Sequence, residues 1–243
     1  MTASPVPVEA PVQAEPVEAE LAQPEPVQAE PAKPTRAASS VRLLVLMLGL
    51  IIGWGLLMQR FGGGNIYAVM GPFALTVLLV VSALASRDLR RWLEPTRLAV
   101  VSGLGVGVVM TLLTYPTYAL AHELFPELGG LVRGLYSSAQ RSSPAEALAW
   151  VLAIILAEEL LWRGALLHVL ARRIPDALAM ALSVLTYTLA QFGTGSWVVM
   201  LLALVCGTIW TVQRRLTHSL LSPLIAHLIW TPVVILFHPV TNG

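Results

Sequence analysis

The stretch AIILAEELLWRGALLHVL at residues 153–170 is almost wide enough to cross a bilayer, yet Glu158, Glu159 and Arg163 sit in its middle. About 20 apolar residues at about 1.5 Å rise span a hydrocarbon core, so this segment reads as a membrane helix with ionisable groups at depth. Such groups are expensive to insert and mark functional sites by default. Glu159 and Arg163 are four residues apart. They therefore share a helix face and can pair, which reduces the cost of burying both. Glu158 is turned from that pair by about 100°, which points its carboxylate at a different cavity and makes it a candidate general base.

The rest of the chain supports a membrane setting. Of 243 residues, 56% are hydrophobic and 12% charged, with a formal net charge of +1; a soluble domain carries about 25% charged residues. Seven apolar spans are expected, at about 41–59, 66–85, 98–121, 145–170, 177–191, 197–213 and 220–237. The fold class is thus an all-α, polytopic helical bundle of about seven transmembrane helices with a disordered N-terminal tail. The short fifth span is expected to tilt, to be partly re-entrant, or to pair with the sixth as a hairpin around Gly193–Gly195. A nucleic-acid partner is excluded, because the arginines are dealt out in small groups between apolar runs and form no basic face. The single cysteine, Cys206, lies in an apolar run and reads as a small buried thiol.

Three regions follow: a tail over 1–40, front helices and loops over 41–144, and a core over 145–238. Eight of the seventeen prolines and six of the fourteen acids precede residue 41, and PVQAEP occurs at both 11–16 and 26–31. Proline removes backbone donors and glutamates repel, so the tail is expected to be a disordered spacer. Lysine and arginine give the orientation. Eleven fall in the tail and alternate loops (among them Lys33, Arg36, Arg90, Arg97, Arg172 and Arg215), against Arg60, Arg133 and Arg141 on the other side. The positive-inside rule then places the N-terminus in the cytoplasm, in a cell inner (plasma) membrane. The connection from His122 to Pro144 faces the other side, with amphipathic interfacial structure. His122-Glu123 fails as a zinc-binding helix because the residue four beyond His122 is Pro126. Trp92, Trp150 and Trp197 lie near expected interfaces and read as belt residues without chemistry.

Further polar groups occur in two other spans. His227 and Thr231 are four apart in SPLIAHLIWTP, and Tyr187 and Gln191 are four apart in YTLAQF. Each pair shares a face, so three spans can line a small hydrated chamber. Structural packing is the competing reading, since polar side chains also bond across membrane helices without catalysing anything.

These residues resemble the motifs of the CPBP family, the CAAX-protease and bacteriocin-processing (Abi) group of intramembrane proteases. Glu158-Glu159-Leu-Leu-Trp-Arg163 matches its EExxxR motif, Tyr187-Thr-Leu-Ala-Gln191 stands where FxxxH is expected, and His227-Leu-Ile-Trp-Thr231, preceded by Ser222-Pro223, stands for HxxxN. Order and spacing agree over residues 145–237. The resemblance implies an intramembrane endopeptidase acting on a membrane-anchored protein or peptide within the lipid bilayer. It assigns Glu158 as the general base, Glu159 and Arg163 as its support, Gln191 and Thr231 as motif positions, and His227 as the group that polarises the scissile carbonyl or stabilises the oxyanion.

Two positions depart from the motifs. Gln191 replaces a histidine and cannot titrate, and Thr231 replaces an asparagine with a shorter side chain. A catalytically inactive pseudoprotease that binds a membrane peptide is therefore the alternative. A transporter is a third reading, opposed by the lack of an internal repeat. A catalytic zinc takes about three protein ligands, and only Glu158 and His227 are convincing, so no cofactor and no bound metal are expected; His168, His218 and His238 read as structural or interfacial.

Overall fold

Ser143-Pro144-Ala-Glu146 starts the helix that carries the glutamates. Ser143 Oγ accepts a hydrogen bond from the Glu146 N–H at 3.3 Å, and Pro144 takes the first helical position, where its missing donor is not needed. A computed structural model describes residues 36–61, 66–139 and 142–242 of the chain. Most of the expected tail over 1–40 lies outside those residues. The described residues fall in one compact unit, Thr35–Gly243.

Every regular element among the described residues is helical. In chain order they are α1 (Arg36–Phe61), α2 (Ile66–Leu84), α3 (Ser86–Trp92), α4 (Arg97–Leu124), α5 (Leu128–Ala139), α6 (Pro144–Glu158), α7 (Leu167–Ala171), α8 (Asp176–Ala190), α9 (Trp197–Thr217) and α10 (Leu221–Pro232). A π-helical segment, Glu159–Leu166, joins α6 to α7, and a second, Val233–Phe237, extends α10. A 3-10 turn, Gln191–Thr194, follows α8.

Five helices are long and apolar enough to cross a membrane: Leu43–Phe61, Tyr67–Leu84, Arg97–Leu124, Asp176–Thr194 and Trp197–Thr217. Their length and composition suit a multi-pass membrane protein. The remaining two of the seven expected spans differ for a physical reason. Residues 144–171 form a continuous helical run, but it switches to π geometry at the glutamates and contains three charges in its interior. Leu221–Phe237 is apolar but short. The hairpin expected around Gly193–Gly195 is present: Gly195 adopts φ +67°, a left-handed turn that glycine takes without strain, and Ser196 then caps α9 through the Val199 N–H. The loop between the third and fourth expected spans holds α5, which buries Leu128, Val132 and Tyr136 on one face, at a spacing of four.

Close backbone approaches set the positions of the later helices. Gly103 and Gly107 on α4 face α10, where an added Cβ would stand 2.7 Å from Ile225 Cβ and 3.0 Å from Ala226 Cα, respectively. Small residues one turn apart let two membrane helices pack at backbone distance. Three tryptophans, Trp54, Trp162 and Trp210, are fully buried among the helices. Trp162 meets Trp54 edge-on at 5.3 Å and Tyr187 at 5.2 Å. Outward-facing apolar side chains such as Leu79 (73% exposed), Val101 (68%) and Leu112 (65%) suit contact with lipid tails.

Trp92 corrects the belt expectation. It is 4% exposed and packs against Gly164 and the His168 ring. Its carbonyl accepts from the Leu220 N–H at 2.7 Å, and Ser219 Oγ donates toward the carbonyls of Trp92 and Glu94 at 3.3 and 3.1 Å. Arg215, at the end of α9, pairs with Asp176 at the start of α8. These contacts gather the connections after α3, α7 and α9 at one end of the bundle.

Candidate active site

The carboxylate of Glu158 ends α6, one residue before the helix widens into π geometry. A π turn inside an α-helix re-aims side chains and recurs at functional sites. Glu158 is 6% exposed and both its oxygens are engaged. Tyr187 Oη donates to Oε2 at 3.1 Å, and Gln191 Nε2 donates to Oε1 at 3.2 Å. Both donors come from the α8 end, four residues apart, so one face of that helix supplies them.

Glu159 is fully buried and forms the second half of the cluster. Arg163 Nη1 donates to its Oε1 at 3.2 Å, with both side chains at most 1% exposed. His227 Nδ1, from α10, lies 3.0 Å from the same oxygen. The other ring nitrogen, Nε2, stands 3.9 Å from Glu158 Oε2. The sequence expectation that the two glutamates face different cavities is thereby corrected: one imidazole, through its two nitrogens, reaches toward both.

Aromatic rings hold these charges in place. Trp210 on α9 stacks on the His227 ring with centroids 3.7 Å apart and planes 23° apart. The Arg163 guanidinium lies 4.1 Å above the Tyr187 ring and 5.3 Å from that of Trp210, distances at which a cation is attracted to the ring face. Space for this stack comes from Gly207, where a Cβ would stand 2.9 Å from Tyr187 Cδ1 and 3.2 Å from Arg163 Nη2.

Of the residues singled out from sequence, Glu158, Glu159, Arg163, Gln191 and His227 come together in one buried cluster. Thr231 does not join it by hydrogen bonding, and its buried Oγ1 has no partner among the described residues. Sequence reasoning missed Trp210 and Gly207. The only local trace of them is their spacing of three on α9, which puts both on one face. Tyr187 was read as chamber lining, and the structure makes it a direct donor to Glu158.

The donor set does not suit a catalytic zinc. Glu158 already accepts from two protein donors, Glu159 Oε1 is shared by a guanidinium and an imidazole, and a cationic Arg163 adjoins both. Among the described residues no group of three or more His, Cys, Asp or Glu side chains is placed to hold a metal ion. What the arrangement offers is a carboxylate with positioned donors facing an imidazole that a second carboxylate orients.

Residues 140–233 match the family model described as type II CAAX prenyl endopeptidase Rce1-like. No curated protein and no solved structure matches the chain. The matched segment starts just before α6, ends just after α10, and contains every residue of the cluster.

Proposed function

We propose that the chain, whose residues 140–233 match the type II CAAX prenyl endopeptidase family model, is an intramembrane endopeptidase in which Glu158 activates a water to hydrolyse a peptide bond of a membrane-associated protein. The observation that carries this reading is the 3.9 Å separation between His227 Nε2 and Glu158 Oε2. That distance is too long for a direct hydrogen bond and suits one bridging water.

A water held there donates a proton to Glu158 and attacks the scissile carbonyl carbon. His227 in its imidazolium form, with Nδ1–H donating to Glu159, directs Nε2–H at the oxygen on which negative charge develops. Collapse of the tetrahedral intermediate breaks the C–N bond, and Glu158 returns the proton to the leaving amine, so one water is consumed per bond cut. Glu159 and Arg163 act as positioning residues. Trp210 keeps the imidazole plane fixed, which matters because a misplacement of about 1 Å can cost about 10²-fold in rate. The substrate is a protein anchored in or at the bilayer of the cell's plasma membrane, and the N-terminus lies in the cytoplasm.

Gln191 favours a second reading. It replaces a titratable histidine of the family motif and donates to the base itself, an arrangement that also suits a pseudoprotease that binds a membrane peptide without cutting it. Proteolysis in reconstituted membranes separates the two. Wild type, Glu158→Gln and Gln191→His are compared on a panel of membrane-anchored C-terminal tails. Cleavage by wild type that vanishes in Glu158→Gln is the expected result. Silence of wild type with activity appearing in Gln191→His would establish the pseudoprotease instead.

A further inference from the structure

The run 144–171 ends in a polar cavity of about 240 Å³ whose lining includes Arg163, His168, Arg172, Asp176, Arg214 and Arg215. It is built where α7 ends, α8 begins and α9 ends, so it lies at the end of the bundle where the connections are gathered. Four arginines in one cavity repel one another unless anions compensate them. Asp176 pairs with Arg215, and Glu159 pairs with Arg163. Among the described residues, Arg172 and Arg214 form no ion pair. Arg172 and Arg214 are left unpaired, with Asp88, 4.0 Å from His168 Nε2, as a further anion beside the lining.

The donors are also incompletely used. Arg163 is 1% exposed and lines the cavity, yet its Nε and Nη2 have no hydrogen-bond acceptor. Arg214 Nε is likewise buried without one. Guanidinium groups offer fixed forks of N–H donors that match phosphate oxygens. An excess of positive charge and a position at the end of membrane helices describe one kind of ligand.

We propose that this cavity is a binding site for the phosphate of an anionic phospholipid headgroup. Basic pockets between membrane helices at the headgroup level are suited to such ligands. A phosphate monoester carries up to two negative charges, which matches the uncompensated pair of arginines better than a lone peptide carboxylate does. A headgroup bound by Arg172 and Arg214 lies beside Arg163, the member of the buried cluster that also lines this cavity.

The test uses the full chain in phosphatidylcholine nanodiscs with rising fractions of phosphatidic acid, and reads lipid retained per protein by native mass spectrometry. Inorganic phosphate in pure phosphatidylcholine discs is the free-anion arm. Wild type is expected to saturate at one retained phosphatidic acid. The double variant R172Q/R214Q is expected to bind about 30-fold more weakly, taking about 1 kcal/mol per basic residue near the surface and 1.4 kcal/mol per tenfold. R172K/R214K, which keeps the charges but loses the guanidinium forks and serves as the folding control, is expected to bind between wild type and R172Q/R214Q. Equal retention by wild type and R172Q/R214Q overturns the proposal. So does full occupancy by inorganic phosphate that phosphatidic acid does not improve, or displacement of the lipid by a free-acid peptide but not by its amide.

Discussion

Removing the guanidinium at position 163 tests the buried cluster directly. In Arg163→Met, Glu159 keeps its full burial and loses its cationic partner, while His227 Nδ1 remains beside it. Breaking a buried ion pair by removing one member costs about 3–5 kcal/mol, because the surviving charge is left without compensation. The lost contacts to the Tyr187 and Trp210 rings add about 0.5–2 kcal/mol. Arg163→Met is therefore expected to destabilise the protein by about 3.5–7 kcal/mol. E159Q/R163M removes both charges and should recover about 2 kcal/mol or more of that loss, since a neutral pair of similar volume is tolerated where a lone charge is not. Unfolding titrations with SDS in mixed micelles measure the two singles and the double. A cost below about 1 kcal/mol for Arg163→Met, or effects of the two substitutions that simply add, would refute the buried pair as drawn.

Other substitutions probe the neighbours. Tyr187→Phe keeps the ring that Arg163 and Trp162 contact but deletes the donor to Glu158 Oε2; loss of a hydrogen bond to a charged group, about 1.5–3 kcal/mol, should lower the thermal midpoint by about 3–12 °C and reduce cleavage. Gly207→Ala pushes a methyl to 2.9 Å from Tyr187 Cδ1, so a destabilisation of about 1–3 kcal/mol is expected by thermal unfolding. Gly103→Val forces α10 away from α4, because even a Cβ would stand 2.9 Å from the Ser222 carbonyl; cysteine cross-linking between the two helices should report the separation, and unchanged cross-linking would contradict the close packing. Trp210→Leu releases the face of the His227 ring, and kcat is expected to fall more than KM rises.

Glu159 and Arg163 were legible because their partnership is local: four residues on one helix fix the distance, whatever the rest of the chain does. The apolar lengths, the hairpin at Gly195 and the amphipathic helix before α6 were legible for the same reason, since each follows from spacing or from a single residue's backbone preference. Thr231 shows the limit of that reasoning. Spacing correctly put it one turn from His227, but the face they share delivers the histidine to Glu159 and leaves the threonine hydroxyl without a partner among the described residues.

The sequence by itself determined that the chain is helical with apolar segments of membrane-spanning length, which residues are charged inside them, and that these stand in the order of the motifs they resemble. Tertiary structure alone decided that one imidazole faces both glutamates, that Tyr187 joins Gln191 on the base, and that Trp210 lies flat on His227. The physical reason is separation along the chain. His227 meets Glu159 across 68 residues and Gln191 meets Glu158 across 33, so neither contact leaves a periodicity to be read. The first depends on how closely α4 lets α10 approach and the second on how the end of α8 meets the end of α6, and those are properties of packed helices.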